Sequence, residues 1–347
     1  MSRSPHLFAA ALLGAAVLAQ PAAAQDMTSA TFSGTTIWVG GGVQFLSLPD
    51  IRFTGKVRPN GLTRQENSDS DWLDFGGAGG AGIETALGWL GNYRVSGSIK
   101  GFWANVEDDN RTKCTSTPGA CVVIDPTGTF VGAGTRLVTN TDRDADYWGG
   151  QAELKFGGGE PVTLKPDLYR NDYFIIGADV RGIDQENKLH GKGVPFNYNE
   201  TLDVTYTGGY IGLGGEYSFG FIPGLKNAGG LYDRLGLRTF VSARAGLYNA
   251  ETDYRGRFGS GALGSQLNES NDELAFIGSI SLETRKQVGP RTSLSLLTDY
   301  EYISSVPKMK YVDATSPTRI EDEAIFASRT MLRLNIGLGS QALYPEQ

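Results

Sequence analysis

The sequence is poor in the residues that most soluble catalytic and metal sites are built from. Among its 347 residues there are 2 Cys, 2 His and 4 Met. The histidines are His6, close to the start, and His190, in a Gly/Lys-rich stretch, so a Ser–His pair is conceivable only through His190. No carboxylate-x-His arrangement sits at a strand end, and Asp299 and Glu301, two apart, are flanked by arginines that suit ion pairing better than acid–base work. No phosphate-binding glycine signature occurs, since Gly76-Gly77-Ala78-Gly79-Gly80 falls inside an extended segment. The Asp clusters at 69/71, 108/109 and 142/144/146 lack EF-hand spacing. The sequence thus predicts no enzyme, no metal and no cofactor. A formal charge of -7 leaves no basic face for nucleic acid.

Long apolar runs are also missing. Beyond the N-terminus nothing reaches the roughly 18 consecutive apolar residues of a membrane-spanning helix. A mean hydropathy of -0.23 would fit a soluble protein. It fits a transmembrane barrel equally, because only alternate residues of such a strand meet lipid.

The N-terminus carries Arg3 and no acid, then an apolar run over 7–18, then Gln20-Pro21 and Ala22-Ala23-Ala24. A basic start, a short apolar stretch and a small-residue exit predict a secretory signal peptide over 1–24. The mature chain over 25–347 reads as one domain. In that exported setting Cys114 and Cys121, in one polar stretch, are expected to close a loop as a disulfide.

Glycine and aromatics are plentiful, with 48 Gly, 16 Phe, 15 Tyr and 5 Trp. They accompany period-2 alternation in stretches longer than soluble strands. From 73 to 89, Leu73, Phe75, Ala81, Ile83, Leu87 and Trp89 share one face, against Asp74, Gly76, Gly82 and Glu84 on the other. After Leu90-Gly91-Asn92 the pattern resumes with Tyr93, Val95, Ile99 and Trp103 outward. Both strands place odd residues outward, so the reading requires an odd-length turn of three residues. Further segments run over 35–47, 147–156, 173–184, 203–219, 237–248, 274–284, 292–302 and from about 326. In 203–219 the alternation slips, which suggests a bulge near Gly208-Gly209. The total is about ten strands, an even number as bacterial barrels require. Residues 121–124 and 129–131 read as a hairpin beyond the membrane that could raise it to about twelve.

Short links near 91, 157–167, 220–236 and 289 alternate with long polar ones over 49–71, 108–144, 185–201, 253–271 and 307–321. The prediction is an all-β, antiparallel up-and-down transmembrane β-barrel with long extracellular loops and short periplasmic turns. From about 35 to 344 the chain resembles the outer-membrane β-barrels of Gram-negative bacteria, including the porin-like group. Such barrels end on a strand carrying a Gly followed at fixed spacing by two apolar or aromatic residues. Gly339, Ala342 and Tyr344 match it, although Gly337 stands where a polar residue is usual and Pro345-Glu346-Gln347 follows the aromatic. The resemblance implies the outer membrane, its lipid and lipopolysaccharide as surroundings, and the barrel assembly machinery as a partner.

The predicted inward faces carry nearly balanced charge. The acids are Asp74, Glu84, Glu153, Asp179, Glu216, Glu283, Asp299 and Glu301; the bases are Arg94, Lys100, Lys155, Arg181, Arg238, Arg244, Arg285, Arg329 and Arg333. Neighbouring strands should pair Glu84 with Lys100, Arg244 with Glu283, and Asp299 and Glu301 with Arg329 and Arg333. Two functions follow. One is a structural or passive small-solute pore. The other is a surface-interaction barrel, with its lumen closed by ion pairs and its acidic loops engaging lipopolysaccharide, host or phage.

Overall fold

A computed structural model describes residues 34–338, apart from 60, 66, 68–73, 118, 133, 158–161, 166–167, 193–195, 218–236, 262 and 311–318. The expected signal peptide, the 220–236 link and the terminal Gly339, Ala342 and Tyr344 lie outside the described residues.

Fifteen strands are described: β1 (Thr35–Leu46), β2 (Thr54–Arg58), β3 (Gly61–Gln65), β4 (Asp74–Leu90), β5 (Tyr93–Thr115), β6 (Ala120–Ile124), β7 (Phe130–Gly132), β8 (Arg136–Gly157), β9 (Val162–Lys165), β10 (Leu168–Lys192), β11 (Asn197–Tyr217), β12 (Leu237–Ser260), β13 (Leu263–Gly289), β14 (Thr292–Lys310) and β15 (Arg319–Leu338). Ten of them form an antiparallel ring, β11-β12-β13-β14-β15-β1-β4-β5-β8-β10, closed by the β10–β11 pairing. The four short strands β3-β2-β6-β7 make a separate sheet, so the hairpin at 121–131 does not enlarge the ring.

Several ring strands exceed 20 residues, about twice the 9–11 that a tilted strand needs to cross a bilayer. The surplus reverses the hydrophobic pattern. On β11, Ile211 and Leu213 are exposed apolar residues on the odd face. Nearer the strand's start the odd face is Thr201, Asp203 and Thr205, and the buried even face is Leu202, Val204 and Tyr206. On β12, exposed Leu247 gives way to exposed Glu251, Asp253, Arg255 and Arg257, with Tyr254 and Phe258 buried opposite. Lipid selects apolar residues outside. Water above it selects polar ones, and the apolar residues turn inward. The reversal marks the membrane surface.

That reversal explains the slip near Gly208-Gly209, where no bulge exists. Both neighbours hold one register through this point, Asp179↔Gly208 and Gly208↔Tyr248 included. The bulge falls at Leu87 instead, where the register shifts between Ala86 and Gly88. The odd-length loop is therefore replaced by a two-residue turn, Gly91-Asn92, between paired Leu90 and Tyr93. Gly88 and Gly91 have φ of 120° and 60°, conformations that glycine adopts without a Cβ clash.

Much of the expected long-loop sequence is strand continuing above the membrane. Ser260 pairs with Leu263 across a tight turn, and β10 and β11 remain paired up to His190↔Asn197. Polar outward residues had given these segments the look of loops. The true long insertions, after β1 and after β5, supply the four-stranded sheet.

Candidate functional site

The lumen is filled in layers. In the membrane half, inward side chains form an ion-pair network. Glu153, 3% exposed, lies within 3.6 Å of Lys100 and of Lys155 and 3.3 Å from Arg244, and it accepts a hydrogen bond from the Tyr210 phenol at 3.1 Å. Lys155 also pairs with Glu84 at 3.0 Å. Glu283 binds Arg285 at 2.8 Å and Arg333 at 3.3 Å. Arg329 pairs with Asp299 at 3.0 Å, and Arg181 pairs with Asp179 on its own strand and with Glu301 at 3.2 Å. Closer to the periplasm, Arg238 pairs with Glu216 at 2.8 Å. A buried charge is costly unless paired and hydrogen-bonded, and this arrangement gives each charge an opposite partner, on its own strand for Asp179 and Arg285 and on a neighbouring or facing wall for the others.

Glycine makes room for this packing. A Cβ on Gly82 would lie 2.6 Å from Trp38 Nε1, and the Trp38 ring carries the Arg333 guanidinium 3.6 Å from its centroid. Arg329 stacks at the same distance over Phe102.

The expected pairings are thus partly redrawn. Asp299 meets Arg329 as adjacent-strand geometry suggests. Glu84 takes Lys155 rather than Lys100, Arg244 reaches Glu153 rather than Glu283, and Glu301 reaches Arg181 rather than Arg329 or Arg333. The reason is the small lumen: long side chains cross it, so partners come from facing strands as well as adjacent ones. Two residues sit elsewhere. Arg94 lies over the Trp89 ring at the β4–β5 turn, 5.3 Å from its centroid. Asp74 pairs with Arg143 at 3.6 Å, above the network.

Above the ions is an apolar layer that includes Leu46, Tyr147, Ile183, Val204, Tyr206, Ile277, Ile303 and Ile325. A second polar layer follows, already beyond the lipid belt. There Glu200 accepts hydrogen bonds from Asn187 (3.1 Å), Tyr198 (3.2 Å) and Tyr254 (3.0 Å). Its burial pushes the carboxyl up to about 7. Arg143 donates to Gln185 and to the Pro49 carbonyl.

The four-stranded sheet closes the mouth. Phe53, Val123 and Cys121 pack with Cys114, Leu137, Leu189, Tyr198 and Phe258 of the barrel wall, and Phe53 stacks on Tyr198 with centroids 4.2 Å apart. Asn67 pins the first insertion, its Oδ1 accepting from the backbone N–H of Phe53 (2.8 Å) and Thr54 (3.0 Å). A Cys114–Cys121 disulfide joins β5 of the wall to β6 of the plug. Reading inward faces for charge alone had missed Tyr147, Tyr210, Glu200 and Arg143. For Tyr147, Glu200 and Arg143 the signal is the buried face that persists after the outward face turns polar, and for Tyr210 it is an inward aromatic between outward Gly209 and Ile211.

A closed ten-strand ring with an apolar external belt defines an outer-membrane β-barrel protein, placed in the Gram-negative outer membrane. The sequence matches no protein-family description and no curated protein. Among solved structures the chain is similar to the outer membrane protease OmpT of Escherichia coli, at 8% identity and a TM-score of 0.41, over 90% of this chain and 99% of that one. It is also similar to a FadL homologue of Pseudomonas aeruginosa (7% identity, TM-score 0.24, 87% of this chain and 90% of that one). A third is the toluene transporter TbuX of Ralstonia pickettii (8%, 0.19, 88% and 90%). One expectation is corrected here. The sequence reading excluded catalysis, and the likeness to a protease removes that exclusion, although 8% identity transfers no reaction to this chain.

Proposed function

We propose that the protein is a plugged outer-membrane barrel that acts at the cell surface, with a lumen closed by ion pairs. The observation that carries this reading is the four-stranded sheet seated in the barrel mouth, packed by Phe53, Val123, Leu189 and Phe258 over a buried charge network. Passage of even a small solute through this lumen would require displacing an apolar layer and breaking several buried ion pairs. The extracellular wall offers the binding surface. Asp146, Asp184, Asp203 and Asp253 stand directly opposite one another on four successive strands, just above the lipid belt. Lipopolysaccharide and host or phage surfaces are the partners this reading names. Export through a leader over 1–24 and assembly through Gly339, Ala342 and Tyr344 by the barrel assembly machinery belong to it.

Planar-bilayer recording of the purified protein tests it. The intact chain should be electrically silent, and replacing 49–67 by a short Gly/Ser linker should raise leak current. Discrete openings of the intact chain would overturn the plugged reading in favour of a passive pore.

A further inference from the structure

We infer that the extracellular part of β13 is a docking edge for an extended, cationic peptide segment of a surface partner, which adds to the barrel wall as a strand. This inference rests on the surface-binding reading and names the partner's chemistry.

The barrel wall is not zipped to its rim. Strands β13 and β14 pair from Ile277↔Ile303 down to Gly289↔Thr292, and no pairing is described above Ile277. Meanwhile β13 remains paired with β12 up to Ser260↔Leu263. The β14 strand leaves because of a local irregularity: its register against β15 shifts between Ile303 and Val306. Beyond that shift its end leans over the mouth. The Tyr206 phenol donates to the Ser305 carbonyl at 2.6 Å, and Met309 packs against Leu202 and Tyr254. The result is a V-shaped seam, with Leu263–Phe276 of β13 forming one side.

The backbone direction on that side can be read off. The Phe276 N–H donates to Ser304 Oγ at 2.8 Å, so it points across the seam. Successive backbone groups of a strand alternate sides, so the N–H and C=O of Gln266, Asn268, Ser270, Asp272 and Leu274 point the same way. Among the described residues none of them has a backbone partner on that side. Such an edge is a template for strand addition, and proteins normally blunt one with Lys, Pro or a bulge. The facing strand has Pro307, whereas 263–276 contains no Pro, Lys or Arg. It carries Glu269, Asp272 and Glu273, with Glu251 and Asp253 of β12 opposite Asp272 and Ser270, whereas Arg255 and Arg257 stand opposite Asn268 and Gln266 nearer the rim. Glu273 accepts from Ser305 Oγ at 3.5 Å. Five acids against two bases leave the edge acidic around Ser270 and Asp272, and that acidity selects a partner strand with Lys or Arg there.

The test uses detergent-folded full-length protein and a fluorescent peptide of about ten residues that alternates Lys and Val. Anisotropy should show saturable binding. N-methylation of alternate peptide amides should weaken it by at least about tenfold. So should Ser270→Pro or Asn268→Pro, which remove an edge-facing N–H and leave the β12 ladder intact. Folding of the variants is checked by their heat-modifiable gel mobility. No binding, or binding indifferent to N-methylation and thus driven by charge alone, overturns the inference. Either result leaves the bilayer recording, and with it the plugged reading, unaffected.

Discussion

Tyr147 and Glu301 meet across the lumen from strands that are not neighbours in the ring: the phenol donates to Glu301 Oε2 at 2.5 Å. Arg181 completes the contact, donating to the Tyr147 hydroxyl and to Glu301 Oε1, each at 3.2 Å. Three walls are thereby tied through the barrel interior. Arg181→Met or Glu301→Gln alone strands a buried partner and should lower unfolding free energy by about 3–5 kcal/mol. The double variant should recover much of that loss. Denaturant melts in detergent measure the coupling. Single changes with no effect on melting would mean that water, not a partner, solvates these charges.

The inverted pattern on β11 makes a sharper test of the membrane position than any one strand assignment. Ile211 and Thr205 share an outward face and lie six residues apart on one unbroken strand. Ile211→Arg places charge in lipid and should cost about 2–4 kcal/mol. Thr205→Arg places it in water and should cost little. Equal losses would put the membrane surface elsewhere.

This same strand shows how far the sequence could be read. Its lower half puts Ile211 and Leu213 outward, the alternation that pointed to the barrel class. Its upper half alternates just as regularly with the faces exchanged, which looks like a slipped register until lipid ends and water begins. Apart from Asp299 with Arg329 on adjacent strands, the ion pairs were legible as residues but not as pairs. Glu301 and Arg181 are 120 positions apart, and only closure of the ring brings them within reach. The plug was half legible, since the hairpin of β6 and β7 was visible at 121–131. Its partnership with β2 depends on two insertions meeting over the mouth, Thr54↔Val123 among their contacts.

The plug should depend on its aromatic contact with the wall. Phe53 is fully buried and stacks on Tyr198. Phe53→Ala removes that contact and leaves a cavity, at a cost of about 3–5 kcal/mol. Because the ring is held by its own ladders, the loss should be local. Hydrogen exchange should accelerate across β2, β3 and β6, with the overall melting point little changed. Uniform destabilisation would show instead that plug and ring fold as one cooperative unit.

Acid should tighten the layer beneath the plug. Glu200 is buried above the lipid belt among Tyr198, Tyr254 and Asn187, and burial raises its carboxyl from 4.5 to about 7 despite the nearby Arg143 charge. A carboxyl whose folded value lies above its unfolded value binds its proton more tightly in the folded state. Its stabilisation is therefore fully present below about 4.5 and is lost as pH rises through about 7. The shift corresponds to at most about 3 kcal/mol. Melting of the wild-type chain should fall between pH 5 and 8, with exchange in β2 and β11 rising in step. Glu200→Gln keeps the shape and presents a neutral amide to the two phenols. It should flatten that dependence and be more stable than the wild type at pH 8. An unchanged pH slope in the variant would show that another group sets the response and that Glu200 remains ionised in its pocket.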